Sequence, residues 1–201
     1  MQKHYLQQIL LIFLICSLPF LIYLASWQLL FYDVNLYSQL LTKNNASSNA
    51  LNITQYWLDY FQDEQELSNI YGFSDLEKQH MQDVKKLVNN LELFFFVLLV
   101  IFISLFFFVQ DKSSVFFYGG ILTMIVPIVL YLIPFDVIFN SFHKLFFAGN
   151  WQFPSDSLLI QTFQANFFYD FAFRIFSLSF AGGFISALSV WKFKKHNPQH
   201  L

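Results

Sequence analysis

A single cysteine, Cys16, stands in the middle of an apolar run, so no disulfide can form within the chain and cysteine usage does not identify a redox compartment. It is no lipid-attachment site either, because Ile15 stands where such a site needs a small residue, and it reads as a packing residue. Charge is also scarce. Only 12% of the 201 residues are Asp, Glu, Lys or Arg, against about 25% in soluble domains. The net charge is −2, and no basic cluster exceeds the three lysines near the C-terminus, so nothing points to a nucleic-acid partner. No Gly-x-Ser-x-Gly elbow and no glycine-rich loop able to cradle phosphate is present.

Apolar surface is abundant instead. Hydrophobic residues make up 56% of the chain and there are 29 Phe, far more than one small core requires. Four uncharged or nearly uncharged runs hold the surplus: 9–31, 93–109, 115–133 and 171–191. A helix of about 20 residues spans the roughly 30 Å hydrocarbon core. The first run is too long for a signal-peptide core, and Tyr23-Leu24-Ala25 is a poor cleavage site. The short connection Gln110–Ser114 allows only a tight hairpin between the second and third runs, and Gly182-Gly183 offers a close helix contact in the fourth. The expected architecture is an all-α integral membrane protein with four transmembrane helices.

Lysine density sets the expected orientation. Lys3, Lys112, Lys192, Lys194 and Lys195 crowd the short segments, whereas the other five lysines are spread over two long loops. Short positive segments stay in the cytoplasm, which places both termini inside and loops 32–92 and 134–170 outside. Arg174, one turn inside the fourth run, either snorkels to the interface or faces a polar cavity.

In the first loop, Tyr56-Trp57-Leu58-Asp59-Tyr60-Phe61 is an aromatic cluster suited to the headgroup level. Ser74-Asp75-Leu76-Glu77 reads as a capping box that opens a helix running into the second span. His80 and Asp83 share one face of that helix. In the second loop, Phe135, Phe139, Phe142 and Phe146 form an amphipathic interfacial stripe flanked by His143. Ser155 or Asp156 can cap a further amphipathic segment, Leu158–Phe168.

His4, His196 and His200 belong to the chain ends and read as incidental. His80 and His143 each sit in a short helix near the membrane face; either alone reads more readily as a satisfied structural histidine than as a reactive one. With Asp83 and Asp156 they could hold zinc, but carboxylates that orient histidines are equally expected. Serines near His143 are as common at caps and turns as in covalent mechanisms.

Certain strings, in order between the four spans, are more specific. They are Tyr56-Trp57-Leu58, then His80-Met81-x-Asp83-Val84-Lys85, then Phe142-His143-x-x-Phe146-Phe147-x-Gly149-Asn150-Trp151-x-Phe153, then Asp156-x-Leu158-Leu159-Ile160. Together they resemble the bacterial lipoprotein intramolecular transacylase family. The resemblance implies transfer of the sn-2 acyl chain of a diacylglyceryl-cysteine lipoprotein onto that cysteine's α-amino group, giving a lyso-form lipoprotein. It implies a multi-pass protein of the bacterial plasma membrane with no cofactor, a diacylated lipoprotein as partner, and essential histidines at His80 and His143. Asp83 and Asp156 are then candidates for orienting the imidazoles. Asn150, Trp151 and Arg174 are candidates for binding the oxyanion or the substrate.

The competing expectation is a non-catalytic membrane sensor, chaperone or transporter subunit. A transporter should show paired charges within its spans, and only Arg174 qualifies.

Overall fold

The structure, a computed structural model, describes residues 2–67, 72–147, 149 and 151–196, with side chains described through 190. Among the described residues there are eight helices and no strand: α1 (Gln2–Phe31), α2 (Val34–Lys43), α3 (Ala50–Phe61), α4 (Asp75–Phe106), α5 (Lys112–Tyr131), α6 (Phe135–Phe146), α7 (Leu158–Thr162) and α8 (Ala165–His196). Four of them, α1, α4, α5 and α8, are long and apolar enough to cross a membrane, as the hydrophobic runs predict. The chain is a multi-pass membrane protein.

The helices outrun the apolar segments because polar flanks continue them. α4 is unbroken from Asp75, yet its sequence turns continuously apolar only at Leu93, so residues 75–91 form an extramembrane portion. The second expected span stops early: α4 ends at Phe106, and the hairpin connection is 107–111 rather than 110–114. Asp111 sets where α5 begins. Its carboxylate accepts from Ser114 N (3.0 Å) and Ser114 Oγ (2.6 Å), capping α5 so that helix begins at Lys112.

Two compact units divide the chain. One comprises Met1–Gln28, Glu92–Leu132 and Ile175–Leu201; the other comprises Leu29–Leu91 and Ile133–Arg174. In the first, Leu14, Leu18, Leu98, Phe102 and Val115 are buried together. Gly183 closes on α5 there: a Cβ added to Gly120 would stand 2.5 Å from the Gly183 carbonyl oxygen. Gly182-Gly183 is thus the close helix contact its sequence suggests: Gly183 meets α5, while a Cβ added to Gly182 would stand 3.0 Å from Ile22 Cγ2 on α1. Ile9, Phe96 and Ile185 of this unit are exposed, apolar surface that lipid solvates at no hydrophobic cost.

The second unit has its own core of Leu40, Ile53, Trp57, Leu58, Phe61, Phe73, Met81, Leu159 and Phe167. Trp57 is only 1% exposed and packs edge-on against Tyr60 and Phe73. The aromatic cluster expected at the headgroup level is therefore the centre of this core. α3 places Ile53, Trp57, Tyr60 and Phe61 on one buried face, and burial of that many rings outweighs interfacial placement. Asp33 opens α2 by accepting from Asn35 N (3.0 Å) and Leu36 N (3.2 Å). Lys43 and Asn44, at its far end, both bond the Asp170 carboxylate on α8.

The segment expected as Leu158–Phe168 is split. Ser157, rather than Ser155 or Asp156, caps α7, and α7 stops after Thr162 because Phe163 leaves helical backbone space. α8 starts at Ala165, and Phe163 and Phe168 pack on one another across the break.

Candidate active site

Both histidines singled out in the sequence belong to the second unit. The capping box forms as expected: Ser74 N and Ser74 Oγ donate to Glu77 Oε2 (2.8 Å each), and Glu77 N donates to Ser74 Oγ (3.3 Å). This fixes the first turn of α4, and His80 follows one turn later.

On α6 the buried residue is His143, while Val137, Phe142, Leu145 and Phe146 are exposed. The phenylalanine stripe is thus divided. Phe135 and Phe139 pack on Tyr169 and Phe168, and the other two present apolar surface outward. The helix ends at Phe147, whose extended backbone ψ of 132° turns its ring back. Gly149 follows with φ +91°, a conformation that glycine alone adopts readily. After that turn the chain brings Trp151 to His143 and Phe153 to His80.

The two imidazoles lie 6.2 Å apart between ring centroids, with planes inclined by only 21°. Phe147 is shared between them, 4.7 Å from His80 and 5.5 Å from His143. Phe153 closes on His80 at 5.4 Å, and Trp151 and Phe139 flank His143 at 4.9 and 4.0 Å. The two imidazoles thus share one enclosure.

Their protonation follows from this enclosure. His80 and His143 are 8% and 9% exposed. Burial pushes His80 down to about 4, the neighbouring His143 pushes the same way, and Asp83 opposes them. Burial also lowers His143, against the Phe139 carbonyl. Both rings are neutral at pH 7. That carbonyl, 2.8 Å from His143 Nδ1, can only accept, so Nδ1 carries the proton and Nε2 is left as the basic nitrogen. The Nδ1 of His80 is buried and has no hydrogen-bond partner among the described residues.

The other predicted residues are placed less uniformly. Asp83 accepts from Lys86 Nζ at 2.9 Å and reaches His80 through its charge, not through Nδ1. Asp156 is exposed before α7, and its backbone carbonyl accepts from Gln161 Nε2 (3.2 Å). Trp151 stands at the site. Asn150 lies outside the described residues. Arg174 is exposed on α8, where its charge acts on Asp170. Among the described residues no group of three His, Cys, Asp or Glu side chains converges as a metal site would require.

Phe139 belongs to the stripe, and Phe147 and Phe153 to the string around His143, but their spacing did not mark them as the rings that surround the histidines. The available signal was their abundance around the His143 block.

The sequence matches the family model described as lipoprotein intramolecular transacylase Lit over residues 5–168. No curated protein matches it. Three solved structures of the membrane-integral lipoprotein intramolecular transacylase Lit from Bacillus cereus share the fold. One is 21% identical, with a TM-score of 0.79 over 96% of this chain and all of the other. A variant with histidine replaced by arginine gives 0.74 at 20% identity, over 96% of each chain. A histidine-to-alanine variant gives 0.75 at 19%, over 97% of this chain and 98% of the other.

Proposed function

The chain belongs to the lipoprotein intramolecular transacylase family, and from that premise we propose that His80 and His143 move an acyl chain within one lipoprotein molecule. The chain is accordingly an acyltransferase. The observation that carries the residue assignment is the pair of neutral imidazoles 6.2 Å apart inside a phenylalanine-lined enclosure.

In this reading the substrate is a diacylglyceryl-cysteine at the lipoprotein N-terminus. Its neutral α-amino nitrogen attacks the sn-2 ester carbonyl. His143 Nε2 takes the amine's proton, the C–O bond breaks, and the same proton passes to the departing glycerol oxygen. The amide formed is more stable than the ester lost, so the step needs no external energy source. Neutral His80 offers an N–H to the oxyanion, and the Trp151 indole N–H is the second candidate donor. Nucleophile and ester belong to one molecule, so holding them together supplies several kcal/mol of the barrier. Phe147, Phe153 and Phe139 exclude the water that would otherwise hydrolyse the ester.

The product is an isomer of the substrate, so intact mass cannot report it. The purified protein in lipid vesicles with a synthetic diacylated lipopeptide should yield fragment ions carrying one acyl group on the N-terminal amine, and amine-reactive dye should no longer label the peptide. A peptide that keeps a free amine after long incubation would favour the non-catalytic reading.

We assign the second unit to the extracytoplasmic side, where such lipoproteins reside, on the lysine asymmetry of the short segments. Both termini then face the cytoplasm. A membrane-impermeant maleimide added to intact cells should label Ser47→Cys and leave Lys112→Cys unlabelled; the reverse pattern would overturn the orientation.

A further inference from the structure

We propose that Glu77 is a positioning residue for the reaction: its carboxylate pins the start of α4 to the first turn of α7 and so sets His80 against the stretch that carries Trp151 and Phe153. The proposal rests on the reading of His80 and His143 as the reacting pair.

Glu77 is 3% exposed, a burial that carboxylates seldom reach without saturating their acceptors. Its Oε2 accepts from Ser74 N and Oγ, which completes the cap of its own helix. Its Oε1 does something a cap does not require. It accepts from Leu159 N at 2.9 Å, across 82 residues of sequence. α7 has its own cap, because Ser157 Oγ accepts from Ile160 N, and the Leu159 N–H is a separate first-turn donor with no partner inside the helix.

Neighbouring contacts reinforce the junction. Phe73 is buried in the same core as Leu159. Gly72, at φ +87°, lies so close to α7 that an added Cβ would meet Leu158 Cδ2 at 3.3 Å. The short stretch 72–77 is therefore seated on Leu158-Leu159.

The consequence for the site is geometric. His80 stands three residues after Glu77 on one face of α4. The stretch 151–159 ends at the pinned Leu159 and carries the rings that cover both histidines, Phe153 on His80 and Trp151 on His143. One hydrogen bond thus fixes the separation between the histidine on α4 and its cover. Releasing it lets water reach imidazoles that are otherwise buried.

The test compares Glu77→Gln, Glu77→Asp and Ser74→Ala in lipid vesicles. Turnover of a diacylated lipopeptide is measured beside the rate at which diethyl pyrocarbonate modifies each histidine, with exposed His4 as the internal reference. Glu77→Gln places an N–H group where donors converge. Glu77→Asp keeps the charge that caps α4 but is one methylene too short for Leu159. Both are expected to lose about tenfold to a hundredfold in kcat, with KM moving much less, and to show faster modification of His80 and His143 but not His4. Ser74→Ala keeps the bond to Leu159 and should retain native kcat and native histidine reactivity. If Glu77→Gln is not recovered folded, Glu77→Asp decides alone. Native histidine reactivity and kcat in a folded Glu77 variant would overturn the proposal. So would a Ser74→Ala loss equal to that of Glu77→Asp, which would reduce Glu77 to a helix cap. Faster histidine modification with native kcat would overturn it from beneath: the pin would be real, and the two histidines would not be the reacting pair.

Discussion

The His143→Ala variant is expected to transfer the acyl chain about a thousandfold more slowly than the native protein, the middle of the range for loss of a general acid–base. His143 has its Nδ1–H fixed on the Phe139 carbonyl, so Nε2 presents a lone pair in one direction only. The titratable side chain that shares this enclosure is His80, 6.2 Å away between ring centroids. Removing the imidazole also leaves a gap among Phe139, Phe147 and Trp151, and such gaps destabilise. His143→Gln separates the two effects, since it fills most of the volume without offering a base of similar strength. It should be as inactive as His143→Ala and melt closer to the native protein. More than about a tenth of native kcat in either variant would contradict a base assigned contributions of this size.

The pH profile of kcat/KM supplies a second measurement of the same claim. An α-amino group loses its proton near 7.7–8.0, so log kcat/KM should fall with unit slope below about pH 8. It should steepen further only below 6.5, because burial depresses both histidines from that value. Stability follows the same sign. The unfolded chain takes up protons at these histidines before the folded one does, so their contribution is fully present above pH 6.5. For His80 it is lost as pH falls from 6.5 towards about 4. Steepening at or above 6.5 would mean that at least one ring is solvated.

How much of this could be read from residues alone depends on whether the signal was local. The four crossings were legible because an uncharged run of some 20 residues has few solutions other than lipid. The capping box at Ser74–Glu77 was legible because reciprocal bonds over three residues leave a sequence mark. α2 was not expected, although Asp33 followed by Leu36, Tyr37, Leu40 and Leu41 at helical spacing, all four buried, is a mark of it. The aromatic cluster at Tyr56–Phe61 misled, because interfacial belts and aromatic cores share a composition; the second unit turned out to have a core large enough to take it. Asp83 and Asp156 were expected by analogy with carboxylates that orient histidines; the first bonds Lys86 and acts on His80 through its charge, and the second is exposed before α7. The carbonyl of Phe139, a group every residue possesses, holds the His143 tautomer. The bond from Leu159 to Glu77 crosses 82 residues and leaves no local pattern at all.

His80→Ala is expected to be as inactive as His143→Ala, and the double variant no slower than either single one. Groups that act as a unit behave this way: once one is gone, the other has nothing left to cooperate with. The structure gives the reason to expect a unit. The rings are nearly parallel at 6.2 Å, they share Phe147, and His143 disfavours a charge on His80. When His143 accepts the amine's proton, its new positive charge faces a neutral His80, whose N–H donates to the oxyanion. With alanine at 80, the oxyanion loses its donor and the imidazolium loses the anion it would stabilise. His80 also has a buried Nδ1 without a partner among the described residues, an arrangement that costs stability until substrate supplies one. His80→Ala should therefore melt no lower than expected for loss of ring packing alone, and bound lipopeptide should raise the melting temperature of the native protein more than that of the variant. Losses that multiply in the double variant, about a millionfold if each is about a thousandfold, would show two independent roles and end the argument for a coupled pair. An equal rise in melting temperature on lipopeptide binding in both proteins would show that substrate does not complete the bonding of His80 Nδ1.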